Sequence, residues 1–322
     1  MILSEFPPFP DGVDYVRIMS FLKLDKLKRS TPWFVKIPAK IVLSRLPVGA
    51  RQWQRLHVFR AGTMDSPSEA FKIFNQHFSG SGLNTLRGRT VVELGPGNSA
   101  LTGLFARALG ATRSWLVDAE ELASEDTALF ARAEQMLLEL NIPVPGIGTN
   151  LSMEEALRRL NCAYLTAGLA SLQEIPDAAV DFLFSNAVLE HVRLADFAKL
   201  AREMRRILKP NGVASHQIDF RDHLQEGLNN LRFSEQTWES KWMAGSGFYT
   251  NRLTWPVMNR IFQEAGFSVE LKASQLWSDG LPTPQRRMAY PFKQMQPSEL
   301  MVKGAHAILR PRELSPLRFE PK

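Results

Sequence analysis

The sequence predicts an α/β fold in which a doubly wound, mostly parallel sheet of seven strands carries helices on both faces. From about residue 86, short apolar runs typical of strands alternate with amphipathic helix patterns. Turn signals separate these segments, as at 209–212, where Lys-Pro-Asn-Gly follows a helical pattern. We therefore expect a helical N-terminal appendage at 1–85, an α/β domain at 86–311 and a loose tail at 312–322.

The appendage is predicted from its prolines and from two helical patterns. Six prolines interrupt residues 1–63, so helices there must be short. Apolar residues recur at helical spacing at Val13, Val16, Met19 and Leu22. Residues 66–69, Ser-Pro-Ser-Glu, have the pattern of a capping box with proline at the first helical position, which predicts a helix to about Phe78.

The elements of the α/β domain follow in order along the chain. Strands are predicted at 90–94, 114–119, 163–166, 180–187, 212–220, 267–273 and 301–309. Helices are predicted at 101–109, in a long stretch from 120 to about 160, from Leu194 to Leu208, and at 256–265. Residues 221–254 have no clean period, which favours an insertion at the functional site over a core element.

Charge is distributed unevenly along the chain. The net charge is +6, and residues 21–60 hold ten Lys and Arg against one Asp. Such a segment suits an anionic partner, although a solvated surface is the more common explanation. We expect a cytoplasmic protein that contacts a membrane surface, if at all, through residues 21–60. The single cysteine, Cys162, excludes an internal disulfide.

Two predicted strands end in residues that suit a nucleoside. The first strand ends at Glu93 and Leu94, and a loop at 95–99, Gly-Pro-Gly-Asn-Ser, follows in which glycine permits close backbone approach to a ligand. The second strand ends near Asp118, 21 residues after Gly97, where an acidic residue would bind a ribose. In an open α/β sheet such strand ends border one crevice.

Glu93 distinguishes between two classes of cofactor. Its carboxylate would repel the pyrophosphate of a dinucleotide, whereas it would attract the cationic amino-acid end of S-adenosyl-L-methionine. The loop reads Gly-Pro-Gly-Asn-Ser-Ala and also departs from the dinucleotide fingerprint, which has a third glycine. The residues therefore favour S-adenosyl-L-methionine.

Residues 88–220 resemble the class I S-adenosylmethionine-dependent methyltransferases of the small-molecule or glycan-type branch. The resemblance rests on VVELGPGNS as first motif, on Asp118 and on SNAVLEHV after the fourth strand. It implies a Rossmann-like fold and a cofactor site made of Glu93, Gly95, Pro96, Gly97, Asn98, Asp118, Ala119, Leu169 and Asn186. The acidic residue that often binds adenine after the third strand is missing, so we expect backbone groups and apolar walls near 168–170 to hold adenine.

Methyl transfer from a sulfonium needs alignment and the removal of at most one proton. Histidine suits that proton because its pKa is near ~6.5. Our candidates for catalysis are His191, His216, Asp219 and His223, which lie near the ends of the fourth and fifth strands. Glu190 and these histidines also suggest a divalent ion, but Ala187 replaces the first Glu of the Glu-x-x-Glu-His motif, so we expect no metal.

We interpret the chain as an enzyme that methylates an oxygen of a small molecule or glycan; nitrogen and carbon acceptors remain alternatives. A catalytically silent cofactor-binding partner protein is a second hypothesis. A nucleic-acid methyltransferase is a third, although the acidic remainder of the chain and the absence of an Asn-Pro-Pro-aromatic motif argue against a nucleic-acid partner. Aromatic and polar residues at 238–252 would bracket a ring or a sugar, or else pack as a lid. The oligomeric state is not predicted.

Overall fold

The computed structural model describes residues 32–43, 66–148 and 151–312. Its sheet has seven strands in the order β3-β2-β1-β4-β5-β7-β6. The strands are β1 (Thr90–Leu94), β2 (Arg113–Val117), β3 (Cys162–Leu165), β4 (Val180–Asn186), β5 (Leu208–Asp219), β6 (Phe267–Leu276) and β7 (Val302–Pro311). Strands β1 to β5 pair in parallel, whereas β7 is antiparallel to β5 and β6. The predicted mostly parallel Rossmann-like sheet is confirmed.

Helices flank this sheet on both faces. All helices of the described residues, whether or not they lie on the sheet, are α1 (Trp33–Leu43), α2 (Pro67–Ser81), α3 (Leu101–Ala108), α4 (Ala128–Glu139), α5 (Met153–Arg159), α6 (Leu194–Ile207), α7 (Glu235–Trp238), α8 (Lys241–Ala244), α9 (Trp255–Glu264) and α10 (Pro297–Leu300). The long helical stretch expected from 120 to about 160 contains two helices, α4 and α5, and is not helical throughout. Two prolines at 143 and 145, and two glycines with positive φ, Gly146 and Gly148, separate α4 from α5.

Two apolar clusters hold the helices on the sheet. One face of the sheet packs against α3, α4 and α2, and the Phe74 ring centroid lies 5.9 Å from that of Phe105 and 5.8 Å from that of Phe184. The other face packs against α6 and α9 through residues such as Phe197 and Phe262. Helix α2, which we assigned to the appendage, therefore shares the core of the α/β domain.

Two local expectations differ from the structure. Residues 209–212, predicted as a turn, lie within β5, where the pairing with β4 shifts between Val180 and Phe182 and the chain bulges instead of reversing. The capping box at the start of α2 does not form, because the Ser66 hydroxyl lies 3.0 Å from the Ser68 hydroxyl and caps no backbone N–H. Helix α2 ends at Gly82, whose φ of 78° is left-handed.

The insertion at 221–254 folds into short helical turns around a core of its own. Leu224, Trp238, Met243, Phe248 and Tyr249 are buried there, and α1 packs Trp33 and Ile37 against them. The helical pattern from Val13 to Leu22, most of the basic segment 21–60 and the tail after 312 lie outside the described residues. Among the helices that are described, none is long and apolar enough to cross a membrane.

Candidate active site

A crevice of about 700 Å³ opens at the carboxyl ends of β1, β2 and β4. Its walls come from the loop after β1, the end of β2, the turn after β3 and the segment after β4. Of the predicted cofactor residues, those lining it are Glu93, Gly95, Pro96, Gly97, Asp118, Ala119, Leu169 and Asn186. Asn98 is outside this lining, and its backbone carbonyl instead accepts a hydrogen bond from the Ser124 N–H.

The loop after β1 requires glycine for two separate reasons. Gly95 and Gly97 have φ values of 68° and 64°, in the left-handed region that favours glycine. A Cβ on Gly95 would lie 2.4 Å from a Val188 methyl carbon, because the segment after β4 packs directly on this loop. The two cofactor motifs of the sequence are therefore in contact.

The Asp118 carboxylate holds the same loop in place. One of its oxygens accepts a hydrogen bond of 3.1 Å from Gly97 N–H, and the other accepts one of 2.7 Å from Ala119 N–H. Burial raises the pKa of Asp118, although its hydrogen bonds from backbone N–H groups oppose that rise. A ribose hydroxyl pair would meet a carboxylate that is already oriented.

Glu93 presents a buried carboxyl group with unused hydrogen-bonding capacity. Its side chain is 2% exposed, and one of its oxygens has no partner within the described part of the chain. Burial is the main reason that the pKa of Glu93 rises to about 8, while a hydrogen bond from Thr102 opposes the rise. A buried acid of this kind suits a cationic ligand group, which would favour its ionised form.

The wall near β3 is apolar, as the missing acidic residue led us to expect. Gly168, with a φ of 58°, begins a 3₁₀ turn that runs to Glu174. From this turn Leu169 and Leu172 line the crevice, together with Leu200 of α6. This wall offers a flat, apolar contact that is appropriate for a purine ring.

His191 and His223 meet at the mouth of the crevice. Their Nε2 atoms are 3.2 Å apart, and the rings lie nearly parallel with centroids 4.8 Å apart. His191 Nδ1 lies 3.0 Å from the Tyr249 carbonyl oxygen, which can only accept, so Nδ1 carries a hydrogen and Nε2 is the basic atom of the neutral ring. Burial by surrounding protein atoms lowers the pKa of His191.

The other two candidates for catalysis lie away from the crevice lining. His216 is fully buried within β5, where its Nδ1 is 2.8 Å from the Ser185 hydroxyl and its ring stacks on Phe262. Asp219 forms an ion pair of 2.7 Å with Arg221. Its negative charge still acts on the crevice, because it raises the pKa of His191 against the effect of burial.

Glu190 is close to the histidine pair in sequence but does not line the crevice. It is buried, and neither of its carboxylate oxygens has a hydrogen-bond partner among the described residues. Burial raises its pKa to about 8. Within the described ranges, no group of three His, Cys, Asp or Glu side chains converges in a way that would hold a metal ion.

Tyr249, which belongs to the aromatic and polar cluster predicted at 238–252, contacts His191 in a way that the sequence did not indicate. Its carbonyl holds His191, and its hydroxyl accepts from Leu194 N–H at 3.1 Å and donates to Glu239 at 3.0 Å. Arg193, which lines the crevice, stacks over the Tyr249 ring at 4.9 Å. The sequence cannot indicate this contact, because Tyr249 binds His191 through its backbone carbonyl, which every residue has.

Of the other aromatic residues predicted to bracket an acceptor, Trp238 and Phe248 lie in the core of the insertion, whereas Trp242 is 58% exposed. Trp238 is fully buried and donates its indole N–H to the Thr250 carbonyl at 2.7 Å. Arg252 is buried between the Trp238 and Phe292 rings. Neither residue lines the crevice, so both side chains support the insertion and do not bracket a ligand there.

Residues 92–215 match the family described as "Methyltransferase domain". No curated protein matches the sequence of the chain. The match spans β1 to β5 and includes the glycine loop, Asp118 and the segment after β4. Taken with the crevice, it supports a methyltransferase domain whose cofactor is S-adenosyl-L-methionine.

Several solved structures are similar to the chain at low identity. An S-adenosylmethionine-dependent methyltransferase from Mesorhizobium loti is 19% identical, with 71% of this chain and 94% of that chain covered and a TM-score of 0.39. YcgJ from Bacillus subtilis is 13% identical, with 74% and 97% covered and a TM-score of 0.41. The complex of DhpI with SAH is 14% identical, with 86% and 97% covered and a TM-score of 0.41. None of these similarities bears on the acceptor.

Proposed function

We propose that this chain transfers the methyl group of S-adenosyl-L-methionine to an oxygen atom of a small molecule or glycan. The observation that carries the proposal is the meeting of two kinds of residue in one crevice. Glu93, the glycine loop and Asp118 form its cofactor side, and the His191–His223 pair forms its mouth. The pair supplies a base where an acceptor hydroxyl would enter.

The hydrogen-bonding groups on the cofactor side of the crevice are those that S-adenosyl-L-methionine requires. The unpartnered Glu93 oxygen would receive the amino group, and Asp118 would receive the ribose hydroxyls. When bound, the cofactor supplies an electrophilic methyl group. The protein orients that group by holding both ends of the molecule, and alignment contributes much of the rate in such displacements.

The histidine pair would remove the acceptor proton as the new oxygen–carbon bond forms and the carbon–sulfur bond breaks. His191 is held in one tautomer by the Tyr249 carbonyl, so its Nε2 lone pair points toward His223. The two rings can therefore share a proton across the 3.2 Å gap. The lowered pKa of His191 keeps it neutral, and hence basic, at neutral pH.

The acceptor side is built from the insertion. His223 belongs to the loop 221–228, and α1 supports this loop because Lys36 Nζ donates to the Leu224 carbonyl at 2.8 Å. The short helices α7 and α8 contribute to the core of the same insertion. A crevice of this volume suits a small molecule or the end of a glycan better than a duplex nucleic acid.

Calorimetric titration with S-adenosylhomocysteine tests the cofactor assignment. We expect binding by the wild-type protein, and Asp118→Ala should weaken it by about 1.5–3 kcal/mol, because a charged hydrogen-bond acceptor is lost. Asp279→Ala, which removes an exposed aspartate outside the crevice, is the matched control and should bind normally. Equal affinity of the wild type and Asp118→Ala would refute the ribose assignment.

Transfer of a labelled methyl group to a panel of hydroxylated small molecules and oligosaccharides tests the acceptor class. Exclusive labelling of amines or of carbon would contradict the oxygen acceptor. Tight cofactor binding with no labelling of any acceptor would instead favour a silent cofactor-binding partner.

A further inference from the structure

The adenine end of the crevice lacks the acidic residue that usually follows the third strand in this kind of domain. The chain reads Thr-Ala-Gly-Leu at 166–169, and Leu169 and Leu172 face the crevice there. Both leucines belong to an apolar cluster that also contains Val192 and Leu200. A purine would have apolar contacts on this wall, but no carboxylate follows β3 to accept a hydrogen bond from its amino group.

Asp196 brings a carboxylate to this same end from a different element. It lies in the first turn of α6, one turn before Leu200, and both residues line the crevice. The remaining crevice carboxylates on the cofactor side, Glu93 and Asp118, lie at the ends of β1 and β2. Asp196 is therefore the acidic side chain that accompanies the leucine wall.

The Asp196 carboxylate is not committed to a protein partner in the described part of the chain, where no ion pair or side-chain hydrogen bond engages it. Two cations lie three residues from Asp196 along the chain, Arg193 and Lys199, and neither forms an ion pair with it among the described residues. Arg193 is bound elsewhere. Its guanidinium pairs with Glu239 at 3.3 Å and stacks over Tyr249. The Asp196 side chain is exposed, so a ligand can approach it.

We infer that Asp196 accepts a hydrogen bond from the exocyclic amino group of the cofactor's adenine and thereby selects adenine over 6-oxopurines. This inference rests on the proposed use of S-adenosyl-L-methionine. An ionised carboxylate can only accept hydrogen bonds. It therefore binds an amino group favourably and repels a carbonyl oxygen at the same position. In this chain the adenine amino group would therefore be bound by the first turn of α6 and not by the turn after β3.

The test compares two ligands with uncharged bases. These are S-adenosylhomocysteine and its hypoxanthine analogue, in which a carbonyl oxygen replaces the amino group and N1 carries a hydrogen. Calorimetry should show that the wild-type protein prefers the adenine ligand by about tenfold or more, which is the discrimination expected of one charge-assisted hydrogen bond. In Asp196→Ala the preference should fall to within about twofold.

Two further variants complete the experiment. Asp196→Asn keeps a polar residue in the first turn of α6 and can donate to a carbonyl oxygen, so its preference should fall or reverse toward the hypoxanthine ligand. Glu264→Ala removes an exposed carboxylate at the end of α9, outside the crevice, and should leave the preference unchanged.

The outcomes separate this inference from the proposed function. Binding of S-adenosylhomocysteine with the same adenine preference in the wild type, Asp196→Ala and Asp196→Asn would overturn the role of Asp196 and leave the proposed function intact. Failure of the folded wild-type protein to bind either ligand would overturn both.

Discussion

Glu93 lies where a carboxyl group is unfavourable unless a cation joins it. Its pKa of about 8, raised by burial from the usual 4.5, means that the folded protein holds a proton that the unfolded chain releases at lower pH. The stability that this proton contributes is complete below about pH 4.5 and is lost as the pH rises through 8. A residue that costs stability at neutral pH is more easily explained by a ligand than by the fold.

Glu93→Gln should therefore separate stability from binding. Between pH 5 and 8 the free energy of unfolding of the wild type should fall more steeply than that of the variant, by at most about 1.4 kcal/mol per pH unit for one proton. Chemical denaturation at several pH values measures this difference. The same variant should bind S-adenosylhomocysteine more weakly at pH 7.5, and parallel stability curves with unchanged affinity would contradict the assignment.

Gly95 tests the contact between the two cofactor motifs. Gly95→Ala introduces a Cβ at 2.4 Å from Val188 as well as a left-handed alanine. The backbone term is about 1–2 kcal/mol, and the overlap adds about 1–3 kcal/mol. Thermal unfolding and calorimetry should both show a loss.

Gly88→Ala is the matched control, because Gly88 has a φ of 73° but nothing within 4 Å of its added Cβ. Gly88→Ala should lose only the stability that the left-handed backbone costs an alanine, and it should bind the cofactor normally. If the two alanine variants behave alike, the contact with Val188 is unimportant.

At the scale of single residues, the sequence predicted those site residues that lie at the ends of the predicted parallel strands. Glu93 and Asp118 were predicted because strand ends converge at one edge of an open sheet. Asp196 was missed, because it lines the crevice from a helix of no distinctive sequence. The contact of Tyr249 with His191 was also missed, because it is made by the backbone carbonyl of Tyr249. His216 was a candidate for catalysis because a sequence shows that a residue lies near the end of a strand but not which way its side chain faces, and the structure buries it completely.

At the scale of elements, the histidine pair joins the segment after β4 to the insertion. His191 and His223 are 32 residues apart along the chain, so their 3.2 Å contact depends on the folding of the insertion against β4. His191→Ala should lower kcat by roughly 10² or more, as expected for the loss of a general base, with little change in cofactor affinity. Because the pKa of His191 is lowered, the acid limb of the kcat profile should lie below pH 6.5.

The control for this prediction is His223→Asn, which retains a polar group opposite His191. It should reduce kcat less than His191→Ala and displace the acid limb. Full activity in both single variants on an authentic acceptor would show that the reaction proceeds by alignment alone.

Helix α2 is held on the sheet by a buried chain of polar groups. His77 Nδ1 lies 2.8 Å from the Ser215 hydroxyl, which lies 2.9 Å from His306 Nε2. Burial, and then the neighbouring His306, lower the pKa of His77 to about 4. Since Ile73 of α2 also lines the crevice, this anchor supports the active site as well as the core.

The lowered pKa of His77 predicts acid sensitivity. Above pH 6.5 the His77 ring is neutral in both the folded and the unfolded protein. As the pH falls from 6.5 to 4, the ring becomes protonated in the unfolded protein but stays neutral in the folded protein. The folded protein therefore loses stability over this range. His77→Gln should reduce the slope of the unfolding free energy against pH by up to about 1.4 kcal/mol per unit in this range. Equal slopes, measured by chemical denaturation, would argue against a neutral buried His77.

Elements with a regular apolar period were predicted well, and those shaped by tertiary contacts were not. The strands β1 and β4 were located to within one residue because they are short, apolar and fully buried. The bulge in β5 was interpreted as a turn, since Lys-Pro-Asn-Gly favours both and only the neighbouring strand decides between them. The insertion had no period because its helices are four residues long.

At the scale of the whole molecule, α1 lies within the basic segment and packs against the insertion. Its inner residues, Trp33 and Ile37, pack against the core of the insertion. Its outer residues, Phe34 and Val35, are 59% and 46% exposed. The helix thus packs on the protein and also presents an apolar surface within the segment that is rich in Lys and Arg.

This combination predicts that the protein binds anionic membranes through residues 21–60 and takes an acceptor from, or close to, a lipid surface. Each basic residue near such a surface contributes about 1 kcal/mol to binding, and salt screens this attraction. Binding to phosphatidylserine-containing vesicles, measured by sedimentation, should therefore weaken steeply from low to physiological ionic strength. Phe34→Ser with Val35→Ser should reduce binding, because the apolar contact is lost. The matched control is Leu138→Ser, which changes a 52% exposed leucine on α4 and should bind vesicles normally. Equal failure to bind anionic and neutral vesicles at low salt would leave α1 as a structural support for the His223 loop.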